Sequence, residues 1–298
     1  MKRTIWLWVL ALLITAFVGR HQRVSGPTWP VSGEVALENV RFAYVLDRTH
    51  AGPGDHPVRL EPGDPMVSGV LRWKRLGTDT DWNDTPMAHQ GEALVGSLPH
   101  QKPGGKIAYQ ITLLHGDRQQ NIPAEPAVLR FRSEVPGIVL IPHIIFMFAA
   151  MLLSTRAALE VFNPEPRWRL LTDWTLVLLF VGGFLLGPLV SLNAFGEPWT
   201  GFPVSNDVTD NKTLIALIGW LAAAWVVRKT HAARVWVPVA GLLMLVTFII
   251  PHSVSAEWVA GKAKKLESAP ALEGELRSLP APTDAPAGDT PADTTVGG

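Results

Sequence analysis

Two histidines and two aspartates have the types and positions that suit binding of a metal ion. The tripeptide Ile-Pro-His occurs twice and supplies His143 and His252, while Asp207 and Asp210 lie in the polar segment NDVTDNKT, residues 206–213. Imidazole nitrogens and carboxylate oxygens together are suitable ligands for a divalent cation. A fold-back of the aromatic-rich loop before this segment would bring the aspartates toward the histidines. These residues therefore predict a divalent-metal site formed by His143, His252, Asp207 and Asp210.

A haem held by the two histidines is the alternative cofactor, because imidazole is also a common haem ligand. His143 lies seven residues after Pro136, which opens an apolar run, whereas His252 follows the last apolar run directly. Seven helical residues span about 10 Å at about 1.5 Å per residue. This difference in depth disfavours a haem between the two side chains.

A purely structural interpretation explains the same residues without any cofactor. Aspartate, asparagine, serine and threonine accept hydrogen bonds from the free N–H groups at a helix start. Asp207 or Asp210, just ahead of KTLIALIGW, would cap a helix and face the positive end of its dipole. His143 would then bond a carbonyl that Pro142 leaves free. The sequence favours this interpretation, so no cofactor is predicted, and the divalent-metal site and the haem are the alternatives.

Composition and motifs argue against several classes of function. The chain contains no cysteine, which excludes disulfides, thiolate metal sites and cysteine nucleophiles. It has no nucleophile elbow, phosphate-binding loop, dinucleotide fingerprint or HExxH motif. The formal net charge is zero, so nothing indicates a nucleic-acid partner. The sequence favours a protein that is not an enzyme.

Long apolar runs indicate an integral membrane protein whose principal partner is the lipid bilayer. Hydrophobic residues make up 47% of the chain and charged residues only 17%, and the apolar residues are concentrated in a few runs. A membrane-spanning helix needs about 20 apolar residues, and tryptophans at the ends of the runs suit the membrane interface. The predicted transmembrane bundle, residues 136–251, has spans at 136–155, 170–192, 211–228 and 235–251.

The first apolar run, within residues 1–25, is predicted to be a signal-anchor helix. It follows Lys2 and Arg3, and its exit, TAFVGRHQRVSG, lacks the small-x-small pattern of a cleavage site. The sequence therefore favours an uncleaved anchor over a cleaved signal peptide.

Basic residues between the runs predict the orientation by the positive-inside rule. The segments that carry them would all be cytoplasmic; their basic residues are Lys2, Arg3, Arg156, Arg167, Arg169, Arg228, Lys229 and Arg234. The N-terminus is then cytoplasmic, whereas residues 26–135 and the C-terminus are periplasmic. Absence of cysteine and of eukaryotic targeting signals favours the inner membrane of a bacterium.

Residues 26–135 have the alternating pattern of an all-β domain. The segments with this pattern are GEVALENVRFAYVL, MVSGVLRWKRL, GEALVGSLP, KIAYQITLL and AVLRFRSE. Strands at this spacing over about 100 residues predict a two-sheet sandwich.

The order VLRWKRLGTDTDWNDTPM followed by GEALVGSLPHQKPGGKIAYQITL, with Trp73 near the centre, carries a family resemblance. Residues 34–133 resemble immunoglobulin-like or fibronectin type III-like modules of bacterial envelope proteins, without the cysteine pair of antibody domains. Such modules usually bind or space other proteins, so the resemblance implies contact with partners more than catalysis.

The chain after the last span is predicted to have two parts. Residues 252–267 combine Trp258 and Val259 with three lysines, which favours an interfacial helix. Residues 268–298 are rich in Ala, Pro, Asp, Thr and Gly, so they predict a disordered tail that could also dock on a partner.

The sequence thus predicts a multi-domain membrane protein with an N-terminal anchor helix, an outer all-β sandwich, a four-helix transmembrane bundle and a disordered tail. The favoured function is a structural or scaffold subunit that contacts other envelope proteins through the sandwich or the tail. The alternatives are a membrane redox or metal-handling protein and a component of a channel or transporter. Midplane polar residues and matched broken helices, which a transporter needs, are not evident in the sequence.

Overall fold

A computed structural model of the protein describes residues 2–78 and 80–251. These residues form a β-rich region, residues 31–132, and a set of apolar helices. The helices are α1 (Lys2–Val24), α2 (Gly137–Ala158), α3 (Trp168–Phe180), α4 (Gly187–Phe195), α5 (Val208–Lys229) and α6 (Ala233–Ile249). A 3-10 segment, Leu159–Phe162, extends α2, and a π-helical segment, Val181–Leu186, joins α3 to α4.

All five segments with a strand-like pattern form strands, and short strands occur between them. The strands are β1 (Val31–Leu37), β2 (Val40–Leu46), β3 (Thr49–Ala51), β4 (His56–Leu60), β5 (Ser68–Arg75), β6 (Asn83–Pro86), β7 (Ala88–Gln90), β8 (Ala93–Leu98), β9 (Lys106–His115) and β10 (Arg118–Arg132). The segment GEVALENVRFAYVL turns back on itself as the β1–β2 hairpin, with Glu38 in the left-handed backbone region at φ 51°.

The described β region contains three sheets where the sequence predicted two. A five-stranded sheet has the order β3-β10-β9-β5-β6, a three-stranded sheet has the order β4-β8-β7, and β1 pairs with β2 alone. The hairpin is separate because its strands bond only each other, but its apolar residues join the common core. Leu71 of the five-stranded sheet lies against Gly96 of the three-stranded sheet, where an added Cβ would come within 2.9 Å of it. The β region is therefore layered around one apolar interior.

Four helical stretches have the length and composition to cross a membrane: Arg3–Val24, Gly137–Phe162, Trp168–Phe195 and Val208–Lys229. Their outward faces carry large exposed apolar side chains such as Ile138, Ile145 and Phe148, which suit contact with lipid. Helix α6 is apolar but has only 17 residues. These features support a membrane protein.

The predicted anchor helix is part of the helical bundle. Val18 of α1 is buried in the same apolar core as residues of α2, α3, α5 and α6. Gly19 of α1 lies against Phe148 of α2, where a Cβ would meet the ring at 2.6 Å. The bundle therefore contains α1 in addition to the four predicted spans, because α1 buries one face on its neighbours.

The third candidate span, Trp168–Phe195, changes from α-helical to π-helical winding before Pro188. Proline lacks an N–H group and its ring crowds the carbonyl four residues earlier, and the chain accommodates Pro188 by the π-helical segment that ends at Leu186. In this segment the N–H of Gly187 donates to the carbonyl oxygen of Gly182. Gly182 and Gly183 lie so close to α2 and α5 that a Cβ would meet Met147 at 2.8 Å and Thr213 at 2.7 Å.

The predicted interfacial helix, residues 252–267, the predicted tail, residues 268–298, and the proposed ligand His252 lie outside the described residues.

Candidate functional site

The segment NDVTDNKT begins helix α5, and Asp207 is its N-cap. Oδ1 of Asp207 accepts hydrogen bonds from the backbone N–H of Thr209 at 2.8 Å and of Asp210 at 3.2 Å. These bonds satisfy N–H groups that have no partner within the helix. The capping interpretation is confirmed, and it explains why α5 starts before residue 211.

Asp210 and Asn211 hold the loop between α4 and α5 in place. Oδ2 of Asp210 accepts from the backbone N–H of Thr200 at 2.7 Å and from its hydroxyl at 3.2 Å. Oδ1 of Asn211 accepts from the backbone N–H of Phe202 at 2.6 Å. The loop therefore folds back over the start of α5. The predicted approach of Asp207 and Asp210 to His143 and His252 stays a prediction, because His252 lies outside the described residues.

Lys212 connects α5 to the end of α6. Its side chain is 3% exposed, and its ammonium group donates to the carbonyl oxygen of Ile250 at 2.6 Å. The same group lies 5.9 Å from the centre of the Phe248 ring, within reach of a cation–π interaction. The ammonium group of Lys212 therefore links the start of α5 to the end of α6.

The β region meets the helices at a junction formed by residues 130–137 and 194–211. The backbone N–H of Ser133 donates to the carbonyl oxygen of Ala194 at 2.9 Å. The guanidinium of Arg130 lies 4.3 Å from the centre of the Phe195 ring. Burial lowers the pKa of Arg130, and the charge of Asp207 acts in the opposite direction. The end of the β region is thus bonded to the last two residues of α4, directly before the loop that Asp207, Asp210 and Asn211 hold.

His143 contacts a carbonyl, but a different one from the carbonyl that the sequence predicted. Its Nδ1 lies 2.9 Å from the carbonyl oxygen of Gly182, in the π-helical segment of the third span. The predicted partner was the carbonyl that Pro142 leaves free. The partner differs because the π-helical segment of the neighbouring helix directs an acceptor toward α2. His143 therefore links α2 to the third span.

The four-residue metal site stays a prediction. Asp207 and Asp210 lie together, and Nδ1 of His143 is engaged with Gly182. Within residues 2–78 and 80–251, no group of three or more His, Asp or Glu side chains is arranged to hold a metal ion. His252, which is both the fourth proposed metal ligand and one of the two histidines proposed for haem, is outside these ranges.

A histidine pair that sequence reasoning missed lies next to the junction. Nδ1 of His50 and Nδ1 of His56 are 3.2 Å apart, and the ring of His50 also packs on Phe131 of β10. His56 is buried. Burial lowers the pKa of His56, the charge of His50 lowers it further, and Asp47 opposes both effects. The sequence signal that could have indicated this pair is the turn-rich stretch AGPGD, residues 51–55, which lies between the two histidines.

Acidification is expected to destabilise the β region through His56. In the unfolded chain His56 gains a proton near a pKa of about 6.5, whereas burial disfavours that proton in the folded protein. The unfolded state therefore gains stability as the pH falls below about 6.5, and the effect levels off below the folded-state pKa. We expect the melting temperature of the full-length protein in detergent to fall by a few degrees between about pH 7.5 and about pH 5.5.

The same titration of His56→Gln should show a smaller decrease in melting temperature. His89→Gln is the matched control, because His89 is exposed on β7. An identical pH dependence in wild type and His56→Gln would contradict the assignment.

At the junction, Asp207 and Asp210 accept hydrogen bonds from the protein itself, and Arg130 lies over the Phe195 ring. Comparison with protein-family models, with curated proteins and with solved structures finds no match to this chain.

Proposed function

We propose that this protein is a scaffold subunit of a bacterial inner membrane that presents its β region to partner proteins on the periplasmic side. The observation that carries the proposal is the direct attachment of the last strand to the helices. β10 ends at Arg132 and α2 begins at Gly137, so four residues connect them. The junction bonds Ser133 to Ala194 and stacks Arg130 on Phe195.

This attachment supports a presenting role because it leaves little freedom between the β region and the helices. A long polar linker would let a domain search for distant ligands. A four-residue linker whose first residue, Ser133, is bonded to α4 holds a surface at a fixed height and orientation. Such preorganisation lowers the entropy lost when a partner binds.

The periplasmic placement of the β region is supported by the charges at the far ends of the helices. Both helical connections at that end, residues 159–167 and 230–232, are flanked by arginines, as is the start of α1. Basic residues of short loops favour the cytoplasmic side.

The surface best suited to a partner is the edge formed by β6 and β7. These strands are consecutive, and each is the last strand of its sheet. All their residues are exposed, while Met87 between them is buried. An unpaired edge can accept a strand from another protein by β-augmentation.

The opposite edge of the three-stranded sheet is less suitable for strand addition. It is formed by β4, which contains Pro57 and the charged Arg59. Proline and charge are common means by which proteins block pairing at an edge. Strand β7 has the sequence Ala-His-Gln and carries neither. Strand β6 contains both Asp84 and Pro86, so β7 is the part of the β6–β7 edge that suits strand addition.

Site-specific photocrosslinking in native membranes tests the proposal. A photoreactive residue at His89 of β7 should give a discrete crosslinked protein, and the same residue at Arg59 of β4 should give much less. His89 and Arg59 are both exposed and lie on opposite edges of the same sheet. Equal crosslinking at the two positions, or none at His89, would refute the proposed surface. Ion flux through liposomes containing the purified protein would favour the channel or transporter alternative.

A further inference from the structure

A pocket lies at the far end of the helices from the β region. Its volume is about 380 Å³, and it is formed by the start of α1, the end of the second span, the start of α3 and the start of α6. The lining residues are Arg3, Val161, Phe162, Asn163, Pro164, Pro166, Trp168 and Arg234. The pocket thus brings together segments that are widely separated in the sequence.

The two charged residues of the pocket are both arginines. Neither Arg3 nor Arg234 has a carboxylate within ion-pair distance among the described residues, and both are exposed. Glu160 is a buried acidic residue close to the pocket residues in the sequence. Its carboxylate is paired with Arg156 and accepts a hydrogen bond from the side chain of Asn163. Glu165 is exposed beside the pocket-lining prolines. The two pocket guanidiniums therefore have free hydrogen-bond donors.

The pocket also contains a buried donor without an acceptor. Nε1 of Trp168 is shielded from solvent and has no hydrogen-bond partner within the described residues. An indole N–H usually finds a partner when it is buried. Because this atom is shielded, the indole ring must turn toward the pocket before its N–H can donate to the oxygen of a ligand.

Two helix starts add to the positive potential. Trp168 is the first residue of α3, and Arg234 is the second residue of α6. Neither helix has an acidic residue in its first turn, and the side chain of neither N-cap residue makes a capping bond. The Glu160 carboxylate accepts from the backbone N–H of Arg167, the N-cap of α3. Helix N-termini carry partial positive charge, so at this pocket they reinforce the arginines.

We propose that this pocket binds the phosphate group of an anionic lipid. Arg3 and Arg234 hold the phosphate oxygens, and the indole N–H of Trp168 donates to the same headgroup. Arginine is well matched to phosphate because its guanidinium presents several donors in a fixed plane. Val161 and Phe162 line the same pocket and supply apolar contact for the adjoining part of the lipid.

The position along the helices favours a lipid over a soluble phosphate. The pocket lies among the ends of candidate spans, at the level where lipid headgroups are found. Basic pockets between helices on the cytoplasmic side are known to bind anionic headgroups. This inference depends on membrane insertion of the helices and does not depend on the scaffold role of the β region.

Lipid binding to the purified full-length protein in a neutral detergent tests the proposal. Short-chain phosphatidylglycerol is titrated while the melting temperature is followed, with short-chain phosphatidylcholine and inorganic phosphate in parallel. Variants are Arg3→Gln/Arg234→Gln, which removes the charges, and Trp168→Phe, which removes only the indole donor. Arg169→Gln is the matched control, since Arg169 is exposed at the same helix start but does not line the pocket.

Phosphatidylglycerol should raise the melting temperature saturably, and phosphatidylcholine should not. An arginine at a charged membrane surface contributes about fivefold in affinity, so the double variant should bind about 25-fold more weakly. Trp168→Phe should weaken binding a few-fold, and Arg169→Gln should bind like wild type.

Equal stabilisation by both lipids, or unchanged binding by the double variant, would overturn the proposal. Stabilisation by inorganic phosphate at the same concentration as the lipid, lost in the double variant, would show that the pocket takes a free phosphate and would overturn the lipid assignment.

Discussion

Replacing Glu160 by alanine will lower the free energy of unfolding by about 3–5 kcal/mol, because it leaves a buried guanidinium without its counter-ion. Arg156 and Glu160 are 2% and 1% exposed, and Nη1 of Arg156 lies 2.6 Å from Oε1 of Glu160. The other carboxylate oxygen of Glu160 accepts from the side chain of Asn163 at 2.8 Å and from the backbone N–H of Arg167 at 2.9 Å. Glu160 therefore neutralises the charge of Arg156 and also fixes, through Asn163 and Arg167, the connection between the spans Gly137–Phe162 and Trp168–Phe195.

Arg156 has few other partners to compensate for the loss. Its guanidinium lies 5.4 Å from the centre of the Trp8 ring of α1, and its Nε has no hydrogen-bond partner within the described residues. The pair is thus the main neutralisation of a cation enclosed by three elements of the bundle.

Equilibrium unfolding in detergent measures the effect of Glu160→Ala. The double variant Arg156→Met/Glu160→Gln should recover much of the lost stability, because no charge then remains buried. The matched surface pair is Arg72 and Asp84, about half exposed, for which Asp84→Ala should cost no more than about 1 kcal/mol. A cost for Glu160→Ala as small as that for Asp84→Ala would show that the pair is not electrostatically important.

Asp210→Ala is expected to release the loop between α4 and α5 and to lower the free energy of unfolding by about 2–3 kcal/mol. Hydrogen bonds to a charged group contribute about 1.5–3 kcal/mol, and Asp210 accepts two of them from Thr200. Because Ala194 and Phe195, which end α4 directly before this loop, contact Ser133 and Arg130, the attachment of the β region should loosen as well. Limited proteolysis should show faster cleavage in residues 196–207 of the variant.

Asp210→Asn is the conservative control, since the amide oxygen can still accept from the backbone N–H of Thr200. Glu197→Gln, in the same loop, should behave like wild type because Glu197 is exposed. Proteolysis of Asp210→Ala at the wild-type rate would contradict a role for Asp210 in holding the loop.

The same variants separate a hydrogen-bonded loop from the predicted metal site. If Asp207 and Asp210 serve only the loop, a chelator should leave the wild-type melting temperature unchanged. If they bind a cation with His143 and His252, chelation should lower the wild-type melting temperature and have no effect on Asp210→Ala. A visible spectrum of the same preparation tests for haem.

Several parts of the structure follow from local patterns in the sequence. KIAYQITLL forms a strand whose alternate residues Ile107, Tyr109, Ile111 and Leu113 lie on one face, although Ala108 and Thr112 of the other face are buried as well. Asp207 caps α5 because its oxygen reaches N–H groups two and three residues ahead. Four short strands were not predicted. Strands β3, β6 and β7 have only three or four residues, which are too few for an alternating pattern, whereas β4 has five residues with alternating burial and was missed all the same. They form because longer neighbours offer them hydrogen-bond partners.

The amino-acid sequence by itself determined the apolar helices, the long strands and the helix cap, since each depends on residues within a few positions of one another. Only the tertiary structure decided which groups meet across the chain: His143 with Gly182, His50 with His56, and Arg3 and Arg234 beside Trp168. Even Arg156 and Glu160, one helical turn apart, read as an ordinary surface pair until packing buries them. The physical reason is that periodicity specifies one face of an element, whereas the partner of that face depends on contacts between distant segments.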